Sequence, residues 1–184
     1  MGFSRLTGLV LKLIKVKEWM KGCKLGKKAM GLDTVELITD TEAFFNISIP
    51  NIEAEHCSTV GELTACVCRH LALQEGPSVL QQNWMELLRT IIPAGGTEPV
   101  AAWVACDDKA MFERIGAVMG MHVFLPEKRH RLYKWEELTT DQFLLAILAA
   151  NFRQVVHVAD SVYAVRVAVT GITAEKAGED CYAI

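Results

Sequence analysis

At 184 residues, with 51% hydrophobic and 22% charged residues, the chain is too apolar for a disordered linker. It is long enough to bury a real core, as one ordinary domain or two small ones. Its apolar runs fall short of the ~18 residues of a membrane-spanning helix, so none is predicted. The net charge of -3 hides an asymmetry: residues 1–29 hold eight Lys/Arg against one acid, and the remainder holds eleven against twenty-one. So acidic a body makes nucleic acid a poor partner and basic protein surfaces a good one.

The leader comes first. Leu6, Leu9, Val10, Leu13, Val16 and Met20 keep helical spacing among Lys12, Lys15, Lys17, Lys21 and Lys24. Residues 1–29 are thus a basic amphipathic leader, readable as a surface docking arm, a contact with an anionic membrane, or a poorly ordered extension. Lys12 and Lys15 interrupt any signal-peptide core, and Leu6 stands where a myristoylation pattern needs Ser or Thr. Met30 is a candidate natural start. The six cysteines, at 23, 57, 66, 68, 106 and 181, lack the density of a disulfide scaffold, so free thiols in a cytoplasmic setting are expected.

Asp33 with Glu36 three residues on predicts an N-cap and a helix starting there. Leu37, Thr41, Phe44 and Phe45 form its buried stripe, and Asp33, Glu36 and Asp40 fall on another face. Ser48, Pro50 and Asn51 break the helix. Thr59 and Glu62 repeat the capping spacing before a second helix carrying Val60, Leu63, Val67 and Leu71.

These residues resemble the acyl carrier protein family. GLDTVELITDTEAFFNISIPNIEAEHCSTVGEL, residues 31–63, is similar without a gap to the second helix and following loop of a carrier: LDTVEL at 32–37, the Phe45 helix end, the Ile49-Pro50 turn, Glu53-Ala54-Glu55 and the Thr59-Val60 cap. The likeness covers about forty residues. It implies an acyl-carrier-like helical bundle, mainly α, and a place in fatty-acid biosynthesis or polyketide assembly. It also implies that basic surfaces of acyl-processing enzymes would read Leu32, Asp33, Val35, Glu36 and Glu42, with Asp40 an additional acid.

The family carries phosphopantetheine on a serine directly before Leu-Asp; here that position is Gly31. Glycine offers no oxygen for a phosphodiester. The expected cofactor is therefore none, with the attachment site lost. Thr34, the nearest hydroxyl, lies about 300° around a helix from Gly31 and is a poor substitute. Ala43 and Phe44 stand where the family is commonly acidic, which predicts a weakened, partly apolar partner surface.

The organisation that follows is a leader (1–29), carrier-like helices (30–72), a second helical unit of no assigned family (73–160), and a C-terminal helix (161–184) that completes the carrier-like bundle in a rearranged order. Either that helix, with Val162, Val165, Val169 and Ile172 in register, or the leader must cover the oily stripe. ITAEKAGEDCYAI, residues 172–184, resembles the end of a carrier's first helix. Within 73–160, breaks at 74–78, 93–99 and 126–131 separate helices around 84–92 and 109–119. Thr139 with Gln142 caps an apolar helix running to about Phe152, and Val155–Val158 reads as a short strand or a lead into the next helix.

Other constellations have blander readings. His56, Cys57, Cys66, Cys68 and His70 lack zinc-ribbon or zinc-finger spacing and are read as packing thiols and surface histidines, with no metal expected. Cys106 has no histidine placed to activate it, and no catalytic set converges, so an enzyme is not expected. Lys128, Arg129, His130, Arg131, Tyr133, Lys134 and Trp135 are offset by Glu127, Glu136 and Glu137; Gly95-Gly96 reads as a turn. The functional expectation is a docking or regulatory module without phosphopantetheine. Its alternatives are a working carrier modified at another hydroxyl, or a membrane-surface or nucleic-acid binder acting through the leader.

Overall fold

A computed structural model describes residues 32–92, 108–123 and 138–178. Among them the chain is mainly helical: α1 (Leu32–Phe45), α2 (Asn51–Ala54), α3 (Val60–His70), α4 (Val79–Arg89), α5 (Asp108–Met119), α6 (Thr140–Ala150), α7 (Phe152–Val155) and α8 (Val162–Ala177). The leader, the segments 93–107 and 124–137 and the last six residues lie outside this set, as do the readings made on them: Gly31, Cys23, Cys106, Cys181, Gly95-Gly96 and the 128–135 cluster. No helix of the described residues is long and apolar enough to cross a membrane.

The bundle is organised around α8. The sequence shows one valine stripe there, but Ala164, Val165, Val167, Ala168, Val169, Thr170, Gly171, Ile172, Thr173 and Ala174 are all buried, on every side of the helix. A helix buried all round belongs at the centre, and α1, α3, α4, α6 and α7 all pack on it. Its many β-branched residues are indifferent helix formers, so packing holds it helical more than propensity does. Ser161 caps its start by accepting from the Ala164 N–H, and Gly178, at φ 62°, ends it.

Small residues set how near the neighbours come. A methyl group placed on Gly171 would overlap the Phe152 ring and the Ala149 carbonyl oxygen, so the α6–α7 junction rests directly on the α8 backbone. The second helix buried over most of its surface is α6, from Phe143 to Ala149. Its Thr139–Gln142 box forms reciprocally: Thr139 Oγ1 accepts from the Gln142 N–H at 3.3 Å, and Gln142 Oε1 accepts from the Thr139 N–H at 2.9 Å.

Several local expectations are corrected. Leu32 and Asp33 are both helical, so Asp33 is not the cap of α1. Thr59 does cap α3, accepting from the Glu62 N–H. The Glu62 carboxylate also accepts the Ser58 N–H at 2.9 Å and the Ser58 hydroxyl at 2.7 Å. Ser78, read as part of a break, is the N-cap of α4, which runs Val79–Arg89 and not 84–92. Its hydroxyl lies 3.0 Å from that of Ser161, so the caps of α4 and α8 bond one another. The Phe143 helix stops at Ala150, and Val155 closes the short α7 and begins no strand.

Besides Gly178, three residues that follow helices lie in the left-handed region: Asn46 at φ 52°, Ala72 at 53° and Gly120 at 64°. In each the next N–H bonds the carbonyl five residues back: Ile47 to Glu42, Leu73 to Cys68 and Met121 to Gly116. Asn and Gly accept this conformation readily; Ala72 does so at a cost. Denaturant unfolding should therefore move in opposite directions for two conservative changes. Gly171→Ala should lose about 1–3 kcal/mol through overpacking against backbone, and Ala72→Gly should gain about 0.5–1 kcal/mol.

Candidate functional site

The candidate surface is the solvent side of α1, whose inner side is fixed by its apolar spacing. Leu37, Ile38, Thr41 and Phe45 are buried, and the Thr41 hydroxyl donates to the Leu37 carbonyl at 2.8 Å. Phe44 is half-buried, its ring centroid 5.0 Å from Phe45 and 5.3 Å from Phe152. Phe44 is thus partly covered by α7.

On the outer side, Val35 is 64% exposed. Beside it Glu36 and Asp40 stand one turn apart, and both face Lys176 in the last turn of α8. Lys176 Nζ is 2.9 Å from Asp40 Oδ2 and 3.5 Å from Glu36 Oε2. The bond to Asp40, with Glu36 behind it, raises the ammonium above its ordinary pKa against a smaller opposing effect of desolvation. The two acids read as a free surface are thus already shared by one intramolecular cation. A lysine in the final turn also suits the negative end of α8.

Glu42 has a different job. Its Oε1 accepts the Ile49 N–H at 2.6 Å, while its own carbonyl accepts from Ile47. It therefore holds the chain at the turn into Pro50 and is spoken for structurally. Of the six residues proposed for docking, Glu36 and Asp40 come together at Lys176, Val35 stands exposed next to Glu36 in the chain, Glu42 points to the loop, and the side chains of Leu32 and Asp33 lie outside the described set.

A second cluster lies where α2 meets α3. Glu53 Oε2 is 3.1 Å from Arg69 Nη2, 3.5 Å from His70 Nε2 and 3.5 Å from Cys66 Sγ, whose thiol donates to it. Glu53, Cys66 and His70 each offer one ligand atom within 4.8 Å of the others. Arg69 foremost, then Cys66 and His70, hold the Glu53 carboxyl below its ordinary pKa against desolvation. Burial pushes the Cys66 thiol up to about 12 and Cys68 up to about 11, so neither is a ready nucleophile at neutral pH. The sequence reading weighed only Cys and His in this stretch. Glu53, from the preceding short helix, is the member it missed, and His70 four residues after Cys66 on α3 was the signal that could have prompted a search for it.

No protein-family model matches the chain, and no solved structure matches it.

The different duties of the acids should separate in alanine variants followed by denaturant unfolding. Glu42→Ala leaves the buried Ile49 without its acceptor and should cost about 1–3 kcal/mol. Glu36→Ala, which loosens one arm of an exposed ion pair, should cost about 1 kcal/mol at most.

Proposed function

We propose that this chain is an acyl-carrier-like docking module that does not carry phosphopantetheine, and that it binds basic surfaces of fatty-acid or polyketide-type enzymes through α1. The observation that carries the reading is the outer side of α1: an exposed valine next to Glu36, with Asp40 one turn beyond that acid, on the helix whose sequence is similar to a carrier's recognition helix without a gap. The order of α1, the Ile49-Pro50 turn, short α2 and capped α3 supports it, as does α8, which packs on both α1 and α3. On this reading α8 does the work of a carrier's first helix, in a rearranged chain order.

The module recognises and does not transfer, because Gly31 presents no hydroxyl. Binding would be electrostatic at long range and apolar at Val35, and exposed charges contribute chiefly to orientation and encounter rate. A basic partner must compete with Lys176 for Glu36 and Asp40. Lys176 is therefore an internal brake on docking, and the surface gains a full negative charge when it is removed.

Binding to a carrier-dependent ketosynthase, followed by surface plasmon resonance at low and moderate salt, should respond in opposite directions. Glu36→Lys should weaken binding by about tenfold, roughly 1.4 kcal/mol, and Lys176→Ala should strengthen it and steepen its salt dependence. Affinity unmoved by either substitution would discard the docking role.

A further inference from the structure

The Glu53–Cys66–His70 cluster lies on α2 and α3, apart from the docking face of α1. Cys66 and His70, four residues apart on α3, share one helical face. Glu53 is brought to the same point from α2, thirteen residues earlier in the chain than Cys66. A thiol, an imidazole and a carboxylate converging on one point form a donor set of borderline softness, suited to zinc and unsuited to magnesium or calcium, which take oxygen ligands.

The two edges that meet at Glu53 also fit, and the third, between Cys66 and His70, lies within 4.8 Å. With Zn–S about 2.3 Å, Zn–N about 2.05 Å and Zn–O about 2.1 Å, tetrahedral coordination places a sulfur and an oxygen roughly 3.6 Å apart, and a nitrogen and an oxygen roughly 3.4 Å apart. Here Cys66 Sγ and Glu53 Oε2 are 3.5 Å apart, as are His70 Nε2 and Glu53 Oε2. Cys66 is wholly buried and forms the floor, while the His70 and Glu53 side chains, 24% and 35% exposed, leave a route from solvent. Arg69 now occupies the same Glu53 oxygen, but its side chain is 64% exposed and free to swing toward water. Cys57, buried beside Cys66, donates its thiol to the Glu53 carbonyl at 3.4 Å and stands next to the set without belonging to it.

We propose that Glu53 Oε2, Cys66 Sγ and His70 Nε2 form a three-ligand site for zinc, with the fourth tetrahedral position facing solvent. Binding replaces the S–H bond of Cys66 with an S–Zn bond and releases that proton to water. Such a site ties α2 to α3 and stabilises the bundle in proportion to metal occupancy.

The test uses the full chain, reduced and metal-free, titrated with cobalt(II) as a spectroscopic stand-in and then with zinc. One equivalent of cobalt should give a thiolate-to-metal charge-transfer band and tetrahedral d–d bands, zinc should abolish both, and zinc should raise the melting temperature. His70→Ala is the deciding variant, because its imidazole is partly exposed and circular dichroism can verify that its helices persist. It should weaken metal binding at least ~10-fold, since even outer-sphere partners of a ligand are worth that much, and it should remove the thermal shift. Cys66→Ser should lose the charge-transfer band, and Cys68→Ser, on another face of α3, should keep it. Absence of the bands in the native chain would overturn the assignment. So would bands that survive His70→Ala, or that disappear with Cys68→Ser.

Discussion

Everything in this bundle depends on how closely α8 can be approached. Gly171 lets the Phe152 ring and the Ala149 carbonyl lie against the α8 backbone, and Ala164, Ala168 and Ala174 keep the rest of the helix slim. A central helix so widely buried has little polar face to spare, and several of its polar groups sit at its ends or bond its own carbonyls. Thr173 donates to the Val169 carbonyl at 2.7 Å, Ser161 caps the start, and Glu175 and Lys176 emerge at the finish.

That emergence links the core to the surface. Because α8 packs along α1, its last turn delivers Lys176 to Glu36 and Asp40, while Glu175 takes Arg153 of α7 at 2.8 Å. Each exposed pair adds little to stability. Their consequence is geometric: the acidic face of α1 is presented with its charge partly answered from within. Buried and exposed duties divide cleanly among similar residues, since Glu42 stabilises a turn, Glu36 and Asp40 remain exposed enough to exchange partners, and Phe44 packs on Phe152.

Much of the local structure was legible in the sequence. The helical spacing of Leu37, Thr41 and Phe45 and the caps at Thr59 and Thr139 are short-range signals, and all are present. What periodicity could not reveal was the rank of the helices. The valine register of the last helix marks one face, but the small and β-branched residues between the valines are what make it central, and their meaning depends on neighbours far away in the chain. Long-range polar pairs were equally hidden: Ser78 with Ser161, Lys176 with Asp40 and Glu53 with Cys66 each join segments whose proximity is set by packing. The Asp33 cap failed for a local reason, since an acid in the first turn is as favourable as one at the cap and leaves the same spacing to Glu36.

The central claim is that a carrier-type recognition surface persists here without its prosthetic group, silenced at one position. Intact mass after incubation with coenzyme A and a broad-specificity phosphopantetheinyl transferase tests it most directly, with the native chain and Gly31→Ser side by side. The account predicts the mass of one phosphopantetheine added to the variant and none to the native chain. A gain in the native chain would make it a working carrier, and no gain in either would leave α1 without the recognition role assigned to it; each result contradicts the account.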